Sequence, residues 1–217
     1  MSPYRATERT EKVRLQDRAR ILDVTRRLIS KGGYRAAQVA LIAREAGLAT
    51  GTVYRHFPSK AELFSEVFRT VAQREVNVTA DSAKGATAIE RMEAGVRTFA
   101  ERALANRRLA YALLAEPVDP AIEAERLTFR RAYRDVFAKI LEDGIRTGEL
   151  PRQNVQLAAA AVVGAIGEAM VGPLSVRGSP AAIRKLLPDL VRFCIRSVSN
   201  ASSKEDRRVR TRNPQAA

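Results

Sequence analysis

Histidine and cysteine each occur once in this 217-residue chain, and tryptophan does not occur at all. A lone Cys194 excludes an internal disulfide framework and fits a reducing cytoplasm. One cysteine and one histidine cannot assemble a Cys/His zinc site, so neither a metal nor a cofactor is expected. The GxSxG, HExxH and glycine-rich phosphate-loop patterns are also missing. His56 has no serine, cysteine or carboxylate at motif spacing, so no nucleophile–base constellation can be named and no enzyme is expected. The first twenty residues are polar and charged, without the apolar stretch of a secretory signal. One long apolar run exists, at 155–174. It is mostly alanine and glycine and is interrupted by Glu168, which fits helix packing better than a membrane span.

What the chain does have is positive charge, unevenly placed. The net charge is +14. Residues 1–60 hold thirteen Lys/Arg against five Asp/Glu, a net of +8. Residues 61–200 hold twenty against seventeen, and 201–217 hold five against two, a net of +3 in each case. Such asymmetry suggests a polyanion-binding end, nucleic acid among the candidates, joined to a nearly neutral body; the alternative reading of the charge alone is a solvated arginine-rich surface.

Periodicity is helical throughout, with no alternating β-branched runs, so the fold class is all-α. Leu15, Ala19, Leu22, Thr25 and Leu28/Ile29 mark one face of a first helix, stopped by "KGG" at 31–33. Short helices follow at about 38–46 and 50–56. A longer one is opened by a capping box, Ser59 with Glu62. Further helices are predicted at about 86–104, 106–115, 119–146, 153–172 and 180–199, separated by Gly, Pro and Asn breaks. The division is a basic arm (1–14), a domain of three short helices (15–60), a larger helical body (61–200) and a basic, disordered tail (201–217).

The segment "AGLATGTVYRHFPSK" at 46–60 concentrates the informative residues. Gly47 can take the positive φ that reverses the chain between two short helices, and Leu48 plugs the angle between them. Val53 and Phe57 face inward, four residues apart. Thr50, Thr52, Tyr54, Arg55 and His56 are left on the outer face and end of the second short helix. This is a helix-turn-helix pattern.

With these residues in place, "IAREAGLATGTVYRHFPSKAEL" (42–63) resembles the DNA-binding signature of TetR-family transcriptional regulators, a likeness covering about residues 15–65. The resemblance implies an N-terminal three-helix helix-turn-helix domain and a larger C-terminal helical domain for ligand binding and dimerisation. It also implies a ligand-responsive regulator, most simply a repressor, that binds a palindromic operator as a homodimer. Tyr54, His56 and Lys60 then stand at phosphate-contact positions. Thr50, Gly51, Thr52 and Arg55 face the major groove, with Arg55 as the preferred base reader because a guanidinium can bond guanine O6 and N7 together. Arg44 is a further phosphate partner, and the arm (Arg5, Arg9, Lys12, Arg14) could follow the backbone or minor groove. The pattern is broken in two places. Ala37 and Gln38 replace the usual threonines at the start of the second helix, and Ala49 replaces the usual Ser or Thr before the third, where Thr50 could cap one position later.

For the body, the resemblance implies a dimer interface made by the last two helices. Small residues Ala158, Ala161, Gly164, Ala165 and Gly167 would face Ile183, Leu186, Leu187, Leu190, Val191, Phe193 and Ile195 across it. It also implies a cavity for a small organic effector, with Phe99, Tyr111, Leu114, Phe129, Tyr133, Phe137 and Met170 as lining and Glu168 as polar anchor. Effector entry would move the fourth helix, which joins the two domains. The competing reading is a nonspecific nucleic-acid-binding protein without effector control. That explains the charge but not a compact reading helix beside a large neutral body.

Overall fold

A computed structural model describes residues 8–175 and 180–199; the basic tail, Arg5 and the break at 176–179 lie outside the described residues. Nine helices and no strands are found among them: α1 (Glu8–Gly32), α2 (Val39–Ala46), α3 (Thr50–His56), α4 (Lys60–Ser82), α5 (Ala88–Ala105), α6 (Arg107–Leu114), α7 (Pro120–Arg146), α8 (Val155–Leu174) and α9 (Pro180–Ser199). Their ends follow local chemistry. Gly33 and Gly47, with φ of 75° and 65°, end α1 and α2 in the left-handed region that other residues avoid. The Ser59 hydroxyl accepts the Glu62 N–H at 3.1 Å to open α4. A complete, reciprocal capping box forms at α5, between Thr87 and Glu90. The carboxylate of Glu149, from the α7–α8 connection, also accepts the Ala88 and Ile89 N–H groups, so α5 is capped twice.

Three apolar clusters hold the helices together. The first joins α1–α4 through Ile21, Val24, Ile29, Ile42, Val53, Phe57, Leu63 and Phe68, and continues into the body through Leu109, Ile122 and Phe129. The second packs α5, α7, α8 and α9 around Met92, Phe137, Leu141, Val162, Ile166, Leu190 and Cys194. A small third one lies between α5, α8 and α9. The DNA-binding domain is therefore not a separate ball on a linker. Its core is shared with the body along the N-terminal half of α4.

Two expectations are corrected by this packing. The first helix starts at Glu8, so Arg9, Lys12 and Arg14 stand on its exposed first turns rather than in an arm before it. Those turns overhang α2–α4, which leaves Leu15 63% exposed and Ala19 exposed, while Ile21, Val24, Thr25, Leu28 and Ile29 form the inward face. On α9, Ile183, Leu190 and Val191 are buried within their own protomer, because α9 packs its apolar face onto α5 and α8. Phe193 remains 58% exposed on its outer side. On α8 the register Ala159, Val162, Ile166, Met170 and Leu174 is buried, while Leu157, Ala161, Gly164 and Glu168 are exposed. The helix is long and apolar enough to cross a bilayer by length and composition, but one of its faces belongs to the core of the body.

Candidate nucleic-acid interface and ligand cavity

Between α2 and α3 the Gly47 N–H donates to the Arg44 carbonyl at 3.2 Å and the Leu48 N–H to the Ala43 carbonyl at 2.9 Å, which closes a tight left-handed turn. The expected rescue by Thr50 does not occur. Ala49 is the N-cap and provides no side-chain bond, as is also true of Gln38 before α2. What fixes α3 instead is burial: Val53 and Phe57 are 1% and 3% exposed. Covering two such side chains contributes roughly 1.5–3 kcal/mol each, more than a missing cap costs at about 1 kcal/mol.

A second clamp comes from α1. Arg18 makes a two-pronged ion pair with Glu66 of α4, and its guanidinium lies 4.7 Å from the centre of the Phe57 ring at the end of α3. Arg18 was counted with the basic charge of this end, but it is committed internally and holds α1, α3 and α4 in one orientation. The sequence signal for it is weak, since the partner is 48 positions away.

The residues expected to meet DNA lie on the opposite side of α3. Thr50, Gly51, Tyr54 and Arg55 are exposed, Thr52 and His56 are half-buried, and Arg44 and Lys60 are exposed on the flanking helices. Arg55 donates to the Thr52 hydroxyl at 3.0 Å, and Lys60 Nζ sits 5.0 Å from the Phe64 ring centre. Neither makes an ion pair with a carboxylate among the described residues, and nor does Arg44. A Cβ built on Gly51 would meet nothing within 4 Å, so packing inside the protomer does not demand a glycine there. Desolvation holds the His56 imidazole below its usual pKa, and nearby Arg14, Arg18 and Arg55 act the same way against Asp17. The surface around His56 is thus predominantly cationic, with Asp17 as the one opposing carboxylate acting on the imidazole.

The second site is a partly open cavity of about 550 Å³ bordered by α4, α5, α6, α7 and α8. Six expected residues line it: Phe99, Leu114, Phe129, Tyr133, Phe137 and Glu168. Tyr111 and Met170 do not. Each is rotated off the lining face of its helix and packs with the cluster of Ala100, Ala103, Leu174 and Ile183; Met170 is fully buried there. Aromatic stacking shapes the wall, with Phe99 edge-on to Tyr133 at 5.2 Å and Phe68 tilted on Phe129 at 5.8 Å.

The sequence reading missed the polar part of the lining. Glu75 and Thr79 on α4, Arg102 on α5, and Arg126, Arg130, Arg131 and Arg134 on α7 all border the cavity. A signal was present: Phe68, Ala72, Glu75 and Thr79 share one helical stripe, so two polar residues fall on an otherwise apolar face. Arg126 is the most buried of the arginines. It donates to the carbonyls of Ala112, Leu113 and Glu116 at 2.8–3.2 Å and pairs with Glu123, closing the C-terminus of α6.

Comparison with known proteins bears on the family and the fold. The family model described as bacterial regulatory proteins, tetR family, matches residues 21–67, and a tetracyclin repressor-like C-terminal domain model matches 85–170. The HTH-type transcriptional repressor KstR of Mycobacterium tuberculosis is 41% identical over 76 residues, covering 35% of this chain and 34% of that protein. The chain thus matches about a third of the length of such relatives. The fatty acid metabolism regulator protein of Bacillus subtilis is 29% identical over 168 residues, covering 68% of this chain and 78% of the relative. Among solved structures, FadR from Bacillus subtilis in complex with stearoyl-CoA superposes with a TM-score of 0.70 at 21% identity, over 82% of this chain and 98% of the other. A TetR transcription regulator from Haloarcula marismortui gives 0.74 at 16% identity, over 85% and 99%. At such identities the structural likeness speaks for the fold.

Proposed function

Since the chain belongs to the TetR family of bacterial regulatory proteins, we propose that it is a homodimeric repressor of transcription, released from its operator by a small organic effector. The observation that carries the DNA half is the outer face of α3. Thr50, Gly51, Tyr54 and Arg55 are exposed beside Arg44 and Lys60, no carboxylate pairs with these cations, and Gly51 lacks an internal reason to be glycine. Arg55 reads a base edge, while Arg44, Tyr54, His56 and Lys60 meet phosphates and Thr50 and Thr52 enter the major groove. Gly51 allows the backbone to come close. Two such helices about one DNA turn apart, roughly 34–36 Å, would fit a palindrome and repress by excluding polymerase.

The exposed Leu157 and Ala161 of α8 and Phe193 of α9 support dimerisation through those two helices. The effector occupies the cavity between α4 and α8. Its apolar, aromatic lining suits a chain-like organic molecule, and the similarity to a fatty acid metabolism regulator and to a structure holding stearoyl-CoA makes an acyl thioester the first compound to try.

Footprinting on fragments selected from the genome tests the reading. One discrete palindrome should be protected, and protection should be lost on adding an acyl thioester. Equal coverage of all fragments would favour the nonspecific binder. Lys60→Ala should lower the slope of log affinity against log salt by about one for each operator half-site. An unaltered slope removes Lys60 from the contact set.

A further inference from the structure

Among the polar residues that border the cavity, one ion pair joins two of its helices. Glu75 of α4 and Arg102 of α5 both border it. The Arg102 Nη2 donates to Glu75 Oε1 at 2.7 Å, and its Nε donates to the other carboxylate oxygen. Their side chains are 34% and 25% exposed, so the pair is partly desolvated without being sealed. Nη1 of Arg102 makes no hydrogen bond among the described residues. Beside the pair stands Tyr133, whose hydroxyl is held neutral by burial. A guanidinium with an unused donor, facing an apolar hollow, can receive an anion carried in on an apolar chain.

The position of the pair gives the contact a consequence. Glu66, nine residues before Glu75 on the same helix, is the α4 partner of Arg18 in the DNA-binding domain. One rigid helix is therefore tied to the reading head by one ion pair and to α5 by another. The other arginines at the cavity are poorer receptors. Arg126 is fully engaged with carbonyls and Glu123, Arg134 turns its Nε and Nη2 to the neighbouring Asp135 on α7, and Arg130 and Arg131 are exposed to water, where an ion pair contributes little.

Resting on the reading of the cavity as the effector site, we propose that Arg102 is its anion receptor. The anionic group of the effector takes Arg102 from Glu75, and this exchange unties α4 from α5. The ligand class is an apolar chain ending in a carboxylate or a phosphate. A free fatty acid supplies the first, and the coenzyme part of an acyl thioester supplies the second. Glu75 makes the site selective, because a neutral chain offers Arg102 nothing better than the carboxylate it already has.

Calorimetric titration of the full chain with dodecanoate, dodecanoyl-CoA and dodecanol tests this. The wild type should prefer one of the anions over the alcohol by about tenfold or more, the scale of a charge-assisted hydrogen bond. Whichever anion is preferred identifies the source. Arg102→Gln should abolish the preference while leaving alcohol binding intact, and the double variant Glu75→Gln/Arg102→Gln should behave the same way. Glu75→Gln alone should bind the anion several-fold more tightly, since Arg102 is no longer shared. Thermal unfolding of each variant checks that the helices are retained. A preference that survives Arg102→Gln, or that disappears instead in Arg134→Gln or Arg131→Gln, overturns the proposal but leaves the cavity as effector site. Failure of the wild type to bind any of the three ligands overturns the cavity reading itself.

Discussion

The DNA-binding domain and the body are built from the same kind of helix but use arginine in opposite ways. On the outer face of α3 and beside it, Arg44 and Arg55 stand without carboxylate partners. In the body, Arg69, Arg91, Arg97, Arg102, Arg126 and Arg146 each pair with an Asp or Glu. An unpaired surface cation is weakly held and free to meet a phosphate or a base. A paired, half-buried one fixes helices or waits for a competing anion. Three arginines of the first region depart from this: Arg26 and Arg27 pair with Asp23 on the exposed side of α1, and Arg18 serves as an internal strut to Glu66 and Phe57. Net charge therefore locates the DNA-binding end but overstates how many cations are available there.

Substitutions can break this contrast, and the largest effect belongs to the body. Arg126→Ala would leave three backbone carbonyls, two of them buried, and a carboxylate without their donor. It should cost about 3 kcal/mol of stability, measured by denaturant unfolding. A loss near zero would mean that the end of α6 is held by packing alone. Arg55→Ala should do the reverse. Stability should stay within about 0.5 kcal/mol, while discrimination at one operator base pair falls by roughly 1–3 kcal/mol in a base-substitution series. Unchanged preference would remove Arg55 as a reader.

The smallest effect tests the strut. The hydrogen bond from Arg18 holds the Glu66 carboxyl below its usual range. A depressed folded pKa means that Glu66 stabilises the protein above the unfolded value of about 4.3 and that this is lost as pH falls through the lower folded value. Glu66→Gln should therefore cost no more than about 1 kcal/mol near neutrality, given solvent screening. The difference from wild type should vanish at the acid end of an unfolding series. A difference that persists there would assign the loss to packing around Phe57.

Much of the local structure was legible because its causes are local. Gly47 and Leu48 give the turn, Val53 and Phe57 the anchored face, and Ser59 the start of α4; these depend on neighbours within a few positions. The face of α1 was misjudged because periodicity cannot tell where a helix runs past the elements it packs on, and Leu15 lies beyond that point. The resemblance implies a cavity but not the rotation of each helix, and rotation about α6 and α8 puts Tyr111 and Met170 in the neighbouring core. The polar lining was overlooked for a related reason. Glu75 and Arg102 are 27 positions apart, and only their polar character on an apolar stripe could have hinted at them.

By itself the sequence determined an all-helical chain, the turn and reading face at 46–60, and the basic end that carries them. Helix periodicity, glycine backbone freedom and side-chain charge are properties of short stretches. The tertiary structure alone decided which arginines are free and which are taken, and which aromatics line a hollow rather than fill a core. It also decided that α4 is tied at both ends. Those facts depend on how helices far apart in sequence are rotated and docked against one another, which no short stretch encodes.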